Sequence, residues 1–232
     1  MQVDGVEITW LGHAAIRIRL GDGTTLLVDP WLSGNPSCPE DEKSPEGVDA
    51  IYVTHGHFDH LGDTADVARS NESPVFAIHE VAEYLGAQGV EQVTGSNKGG
   101  RVDGPAGIRA VLVDAVHSAG INGESGIVAG GEAAGWIFQV DGGPTLYHAG
   151  DTTAFGDMRL IGEIYRPDLV FLPIGGHYTM GPDLAAKSAG MLGVETVVPI
   201  HFGTFPILSG TPEQLSDAAG GRFRVAALDI GG

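Results

Sequence analysis

The sequence predicts an α/β protein of four layers, αββα, with two mixed β-sheets packed face to face and helices outside. Three observations lead there. Short apolar runs of strand character alternate with helical stretches along the whole 232-residue chain. An order of strands with interspersed helices occurs in the first half and again from about residue 133, which suits two packed sheets better than one doubly wound sheet. Glycine-rich segments fall between elements and not in a single linker, so residues 1–232 read as one domain of two similar halves.

Residues 6–12, VEITWLG, and 14–20, AAIRIRL, read as strands, and GDG at 21–23 turns the chain into TTLLVDPW. Residues 33–48 form an aperiodic loop of proline, glycine and acid. VDAIYVTH at 48–55 is a short apolar run, as a buried strand requires. LGDTADVARS has helical spacing, and PVFAIH then reads as a strand. EVAEYLGAQG reads as a helix with Gly89 as its stop. Strands follow near 92–94, 101–103 and 108–116. In the second half, AAGWIFQVDGGPTLYHAGD holds two strands around DGG. FGDMRLIGEIY is a helix and PDLVFLPIGG a strand. GPDLAAKSAGMLG is the clearest helix, with Pro182 near its start and Gly193 near its end. VETVVPIHF is a buried strand, TPEQLSDAAG a helix, and RFRVAALDI a final strand.

Thirty acidic residues against 12 basic give a net charge of −18, and no dense Lys/Arg cluster is present. Such a surface repels phosphate backbones and anionic membranes, so neither nucleic acid nor membrane is expected as a partner. No apolar run approaches the roughly 20 residues of a bilayer span. The start, MQVDGVEITW, has no basic-then-apolar signal, so a cytoplasmic location is expected. The lone cysteine, Cys38, excludes an intrachain disulfide and reads as an incidental loop thiol. The sequence is compatible with a homo-oligomer.

Chemistry concentrates in YVTHGHFDHL, where His55, His57, Asp59 and His60 fall within six residues after an apolar run. Two histidines two apart on extended chain can project to one side. A turn can bring Asp59 and His60 to the same point. Neutral imidazole and carboxylate suit zinc and other first-row divalent metals. Four such groups exceed the three protein ligands typical of one catalytic zinc, which points to two metals.

VTHGHFDH resembles the signature of the metallo-β-lactamase superfamily. His117 at the end of IRAVLVDAVH, Asp151 in YHAGDT and His201 at the end of VETVVPIH follow in that superfamily's order. WLGHAAI, LLVDPWL, HAGDTT, PIGGHYTMGP and PIHFGTFP resemble one branch, the metal-dependent hydrolases related to ascorbate-6-phosphate lactonase. The resemblance implies that His55, His57 and His117 form one metal site and Asp59, His60 and His201 a second, with Asp151 bridging. It implies two divalent ions, zinc first, with manganese, nickel, iron or cobalt compatible with the same ligands. A hydroxide held between them would attack a lactone or ester, with Asp59 holding it or taking its proton.

Around these, Asp29 in LLVDPW reads either as a plain turn residue or as a carboxylate orienting a ligand histidine. His13 is expected to line the pocket. His148 faces away from a ligand site and reads as structural. His177 and Tyr178 in GGHYTM are the expected substrate contacts, His177 donating to developing negative charge. Thr204 reads equally as a cap or as a support to the ligands. The leading reading is a metal-dependent hydrolase of a small lactone or ester. The alternatives are a phosphodiesterase, an iron-dependent oxidoreductase on the same scaffold, and a metal-binding protein without catalysis.

Overall fold

The computed structural model describes all 232 residues. The first sheet contains, in spatial order, β1 (Gln2–Val3), β2 (Val6–Trp10), β3 (Ile16–Arg19), β4 (Thr25–Val28), β5 (Ala50–Tyr52), β6 (Val75–Ile78) and β7 (Val93–Ser96). β1 to β4 are antiparallel neighbours, and β4 to β7 are parallel. The second sheet has β8 (Arg101–Asp103) at one edge, then β9 (Arg109–Asp114). After a detached ribbon, β10 (Ile121–Gly123) with β11 (Gly126–Val128), come β12 (Ala134–Gln139), β13 (Thr145–His148), β14 (Leu169–Pro173), β15 (Thr196–Ile200) and β16 (Arg224–Val225). It too is antiparallel on one side and parallel on the other, so the two halves repeat one plan.

Strand alternation sorts the second sheet's side chains between two cores. Ala110, Leu112, Trp136, Phe138, Leu146, Phe171 and Val198 face the first sheet and join Ile8, Ile16, Leu26, Ile51 and Tyr52. Val111, Val113, Ile137, Tyr147, Val170, Leu172 and Val197 face outward. They are covered by α4 (Met158–Tyr165), α5 (Pro182–Leu192) and α6 (Pro212–Ala219). The first sheet is covered by α2 (Thr64–Asn71) and α3 (His79–Ala87), which follow the four-residue α1 (Phe58–Leu61). The four layers are therefore those the sequence predicts. No helix is long and apolar enough to cross a membrane.

Two details differ from expectation. The final strand is only Arg224–Val225, because the chain then leaves the second sheet and Ile230 bridges to Trp10 of the first. The ribbon at 121–128 is not anticipated, since its two strands of three residues carry too little pattern to read. The 33–48 loop holds one short 3₁₀ turn, and Cys38 within it is buried. Burial, with Glu42 nearby, pushes its thiol up to about 11, which makes it a poor nucleophile.

The sheets are stitched together along one edge by four hydrogen bonds. Trp136 Nε1 donates to the Val53 carbonyl at 3.0 Å, and His148 Nε2 to Ala14 at 3.0 Å. The backbone amides of Ala134 and His201 donate to Thr54 at 3.2 Å and His13 at 2.8 Å. His148 is thus structural: fully buried, it also accepts from the Gly150 amide at 3.2 Å. Trp136→Phe would leave the buried Val53 carbonyl without its side-chain donor and should cost about 1–3 kcal/mol. A denaturant midpoint unchanged from the parent would contradict this cross-sheet role.

Candidate metal centre

The seam between the sheets is also where the predicted ligands gather. β9, β13 and β15 run in one direction, because β12 is antiparallel to both β9 and β13. His117, Asp151 and His201 follow the carboxyl ends of these strands, and His55 follows β5. Open α/β sheets characteristically place their sites at strand carboxyl ends. At β5 the chain passes Gly56 and enters α1 at His57. A Cβ on Gly56 would lie 2.4 Å from Ile121 Cγ1, so glycine is required there. Gly62 ends α1 with φ 25°, and a Cβ on it would meet the Trp31 backbone at 2.6 Å. One tight turn therefore directs Asp59 and His60 toward the histidines before it.

Two groups of potential donors result, His55, His57, His117 and Asp151 in one and His13, Asp59, His60 and His201 in the other. Within each, all donor atoms lie within 4.8 Å of one another. Asp151 touches both. Its Oδ2 is 3.4 Å from His117 Nε2 and 3.1 Å from His201 Nε2, and its Oδ1 is 3.2 Å from His60 Nε2.

Hydrogen-bond direction fixes what two of the histidines present. Asp29 is fully buried, and its Oδ2 accepts from His60 Nδ1 at 2.7 Å and from the Thr54 hydroxyl at 2.7 Å. A hydroxyl has one proton. Thr54 gives it to Asp29, so its oxygen accepts from His55 Nδ1 at 3.0 Å. Both rings then carry their proton on Nδ1 and present a bare Nε2 lone pair. Asp29 thus holds one histidine in each group, directly or through Thr54, which is the geometry that the orienting-carboxylate reading requires.

A bare His60 Nε2 would face the Asp151 Oδ1 lone pairs at 3.2 Å, so either a proton or a metal ion must lie between them. His60 Nε2, His201 Nε2 and Asp151 Oδ1 are buried and make no hydrogen bond. Orphaned buried acceptors of this kind demand an explanation, and a set made only of imidazole and carboxylate fits a first-row divalent ion.

Charge follows the same logic. Burial opposes protonation of His60, but the Asp151 and Asp29 carboxylates outweigh it and raise its pKa well above the ordinary value. Burial likewise opposes His201, yet Asp151 and Asp59 raise it to about 9. Burial would raise the two carboxylates, but His201 and His60 hold Asp151 down, and His13 and His201 hold Asp59 down. His55 is pushed well below its usual value by burial, as a neutral ligand should be. Protons on His60 and His201 stand where a cation would bind, so metal and proton compete.

His13 departs from expectation. It is fully buried, with Nε2 3.0 Å from Asp59 Oδ2 and Nδ1 2.9 Å from Thr204 Oγ1. Both ring nitrogens are engaged, so it supports Asp59 from behind and offers nothing to a substrate. Burial holds its pKa down to about 4. Thr204 is therefore a partner of this histidine. His177 also departs: it is exposed, its ring edge-on to Tyr178 at 4.5 Å between centroids, and it does not line the cavity above the donors. Tyr178 does line it, together with His57, Asp59, His117 and Asp151. Thr54 is the functional residue that sequence reasoning missed, although it directly precedes the first histidine.

Comparison with known proteins now decides the family. A family model described as a beta-lactamase superfamily domain matches residues 24–202. The chain belongs to the beta-lactamase superfamily. A metal-dependent hydrolase of Koribacter versatilis is 47% identical over 215 residues, covering 93% of this chain and 92% of that protein. Another from Rubrobacter xylanophilus is 46% identical over 211 residues, covering 90% and 87%. The solved structure of a metallo hydrolase from the archaeon Ignicoccus hospitalis superposes with a TM-score of 0.84 at 33% identity, covering 97% of this chain and 95% of that one. The chain is a metal-dependent hydrolase of this superfamily.

Two outcomes follow from the geometry. Asp29→Asn keeps volume but offers only one acceptor oxygen, and should weaken metal affinity about 10- to 100-fold in chelator competition. Parental affinity would remove Asp29 from the account. In protein stripped of metal, the stability contributed by protonated His201 is complete below an unfolded value of 6.5 and lost as pH rises through about 9. The thermal midpoint of metal-free protein should therefore fall across that window, and a flat or rising midpoint would contradict the assignment.

Proposed function

We propose that this protein hydrolyses a small lactone or ester, using two divalent cations. His55, His57 and His117 would hold one, Asp59, His60 and His201 the other, with Asp151 shared. The observation carrying this reading is Asp151, whose two oxygens approach donors of both groups while Oδ1 has no hydrogen bond. When bound, such cations make a water acidic enough to ionise near neutral pH and polarise an acyl oxygen. Zinc is the first choice, and manganese, nickel, iron and cobalt suit the same donors.

The chain's residues divide the remaining work. Asp59, partly open to the cavity and held ionised by His13 and His201, accepts a hydrogen bond or proton from the attacking water. His13, pinned by Thr204, keeps that carboxylate in place. The water oxygen bonds to the acyl carbon, the acyl carbon–oxygen bond breaks, and the water's proton passes by way of Asp59 to the departing alkoxide. Tyr178 lines the cavity, and in this reading it takes the task expected of His177, donating to developing negative charge.

Metal-loaded protein should hydrolyse members of a lactone and ester panel and leave bis-p-nitrophenyl phosphate largely untouched. Asp151→Ala should abolish turnover while the far-ultraviolet circular dichroism stays native. Full activity in that variant, or turnover of the phosphodiester alone, would overturn the reading.

A further inference from the structure

The cavity above the donors has a volume of about 730 Å³, within the range of small-molecule sites. Beyond the donor residues its polar groups come from Ser118, Asn122 and the hydroxyl of Tyr178, and no lysine or arginine lines it. Its apolar wall comes from four separate segments: Phe58 at the start of α1, Ile127 on β11, Tyr178 in the loop after β14, and Phe205 and Ile207 in the loop after β15. Single exposed hydrophobics are ordinary, but here Phe58 at 51% exposed, Ile127 at 78% and Ile207 at 46% line one cavity, and a contiguous apolar patch marks a binding surface. The wall is braced from behind. Trp31, itself buried, stacks on Phe205 with centroids 5.8 Å apart and meets Phe58 edge-on at 5.6 Å. Ile127 lies over Gly120, where a Cβ would come within 2.5 Å of its Cγ2.

We propose that the substrate is an uncharged ester or lactone whose apolar acyl or alkyl portion lies against Phe58, Ile127, Tyr178, Phe205 and Ile207. The reacting part of this statement rests on the hydrolase reading above, and the apolar seat rests on the wall alone. Two physical effects give the selectivity. Apolar surface removed from water against a preformed wall favours longer neutral chains. A phosphate, sulfate or carboxylate remote from the scissile bond would lose its hydration with no cation to meet it, inside a chain of net charge −18. The cavity thus selects against anionic substrates, phosphorylated lactones included.

Binding and turnover are measured separately on metal-loaded protein. Kd values of neutral n-alkyl amides from acetamide to octanamide should tighten about two- to four-fold per methylene until the cavity is filled. Replacing the terminal methyl by a carboxylate should weaken binding roughly tenfold or more. Ile127→Ser and Phe205→Ala should flatten the chain-length trend with metal content unchanged, and I127K should restore binding of the carboxylate series. A flat series in the parent protein, or carboxylates bound as well as amides, overturns the proposal. The matching p-nitrophenyl esters supply the second arm. Turnover that rises with chain length supports both readings. A binding trend without turnover of any ester leaves the apolar seat standing and removes the ester reaction.

Discussion

A single buried carboxylate sets the geometry on which the rest of the centre depends. Asp29 accepts the Nδ1 proton of His60 directly and that of His55 through the Thr54 hydroxyl. Its other oxygen accepts the Thr54 backbone amide at 2.8 Å. Three hydrogen bonds to one side chain thereby join the end of β4 to the loop after β5 and choose the tautomer of one histidine in each donor group. Without that choice either ring could turn a proton toward the space it must leave open to a cation.

The constraint is built into the backbone as well as the side chains. Asp29, His13 and His201 all have positive φ, at 49°, 56° and 55°, a region costly for residues other than glycine. The surrounding bonds hold them there. The His201 amide donates to the His13 carbonyl, which also accepts from Trp10 Nε1 at 2.9 Å, and the Trp31 amide donates to Asp29. These positions lie where the two sheets meet, so bonds that join the sheets also hold the residues that carry the donors. Sheet order provides the stage: strands of one direction deliver His117, Asp151 and His201 to the edge that receives His55, His57, Asp59 and His60 from the other sheet.

Much of the arrangement was legible in the sequence, part of it as a local cluster and part through the resemblance. The cluster His55, His57, Asp59 and His60 stands out by itself after an apolar run, whereas His117, Asp151 and His201 are picked out by the resemblance, each at the end of an apolar run. Asp29 was readable to the extent that an aspartate before proline at a strand end has two common uses. What escaped depends on contacts distant in sequence. His13 meets Asp59 across 46 residues and Thr204 across 191, and no local pattern reveals that both its nitrogens are engaged. His177 and Tyr178 are adjacent, and only the loop's course decides which one lines the cavity. The apolar wall draws on residues from Phe58 to Ile207, each an ordinary loop hydrophobe by itself.

In the proposed arrangement one seam would hold two cations with Asp151 between them. Anomalous scattering from crystals of metal-loaded protein tests it most directly. Two peaks are expected, one within bonding distance of His55, His57 and His117, the other of Asp59, His60 and His201, each also reached by an oxygen of Asp151. A single peak, or a second one that Asp151 does not touch, would contradict it.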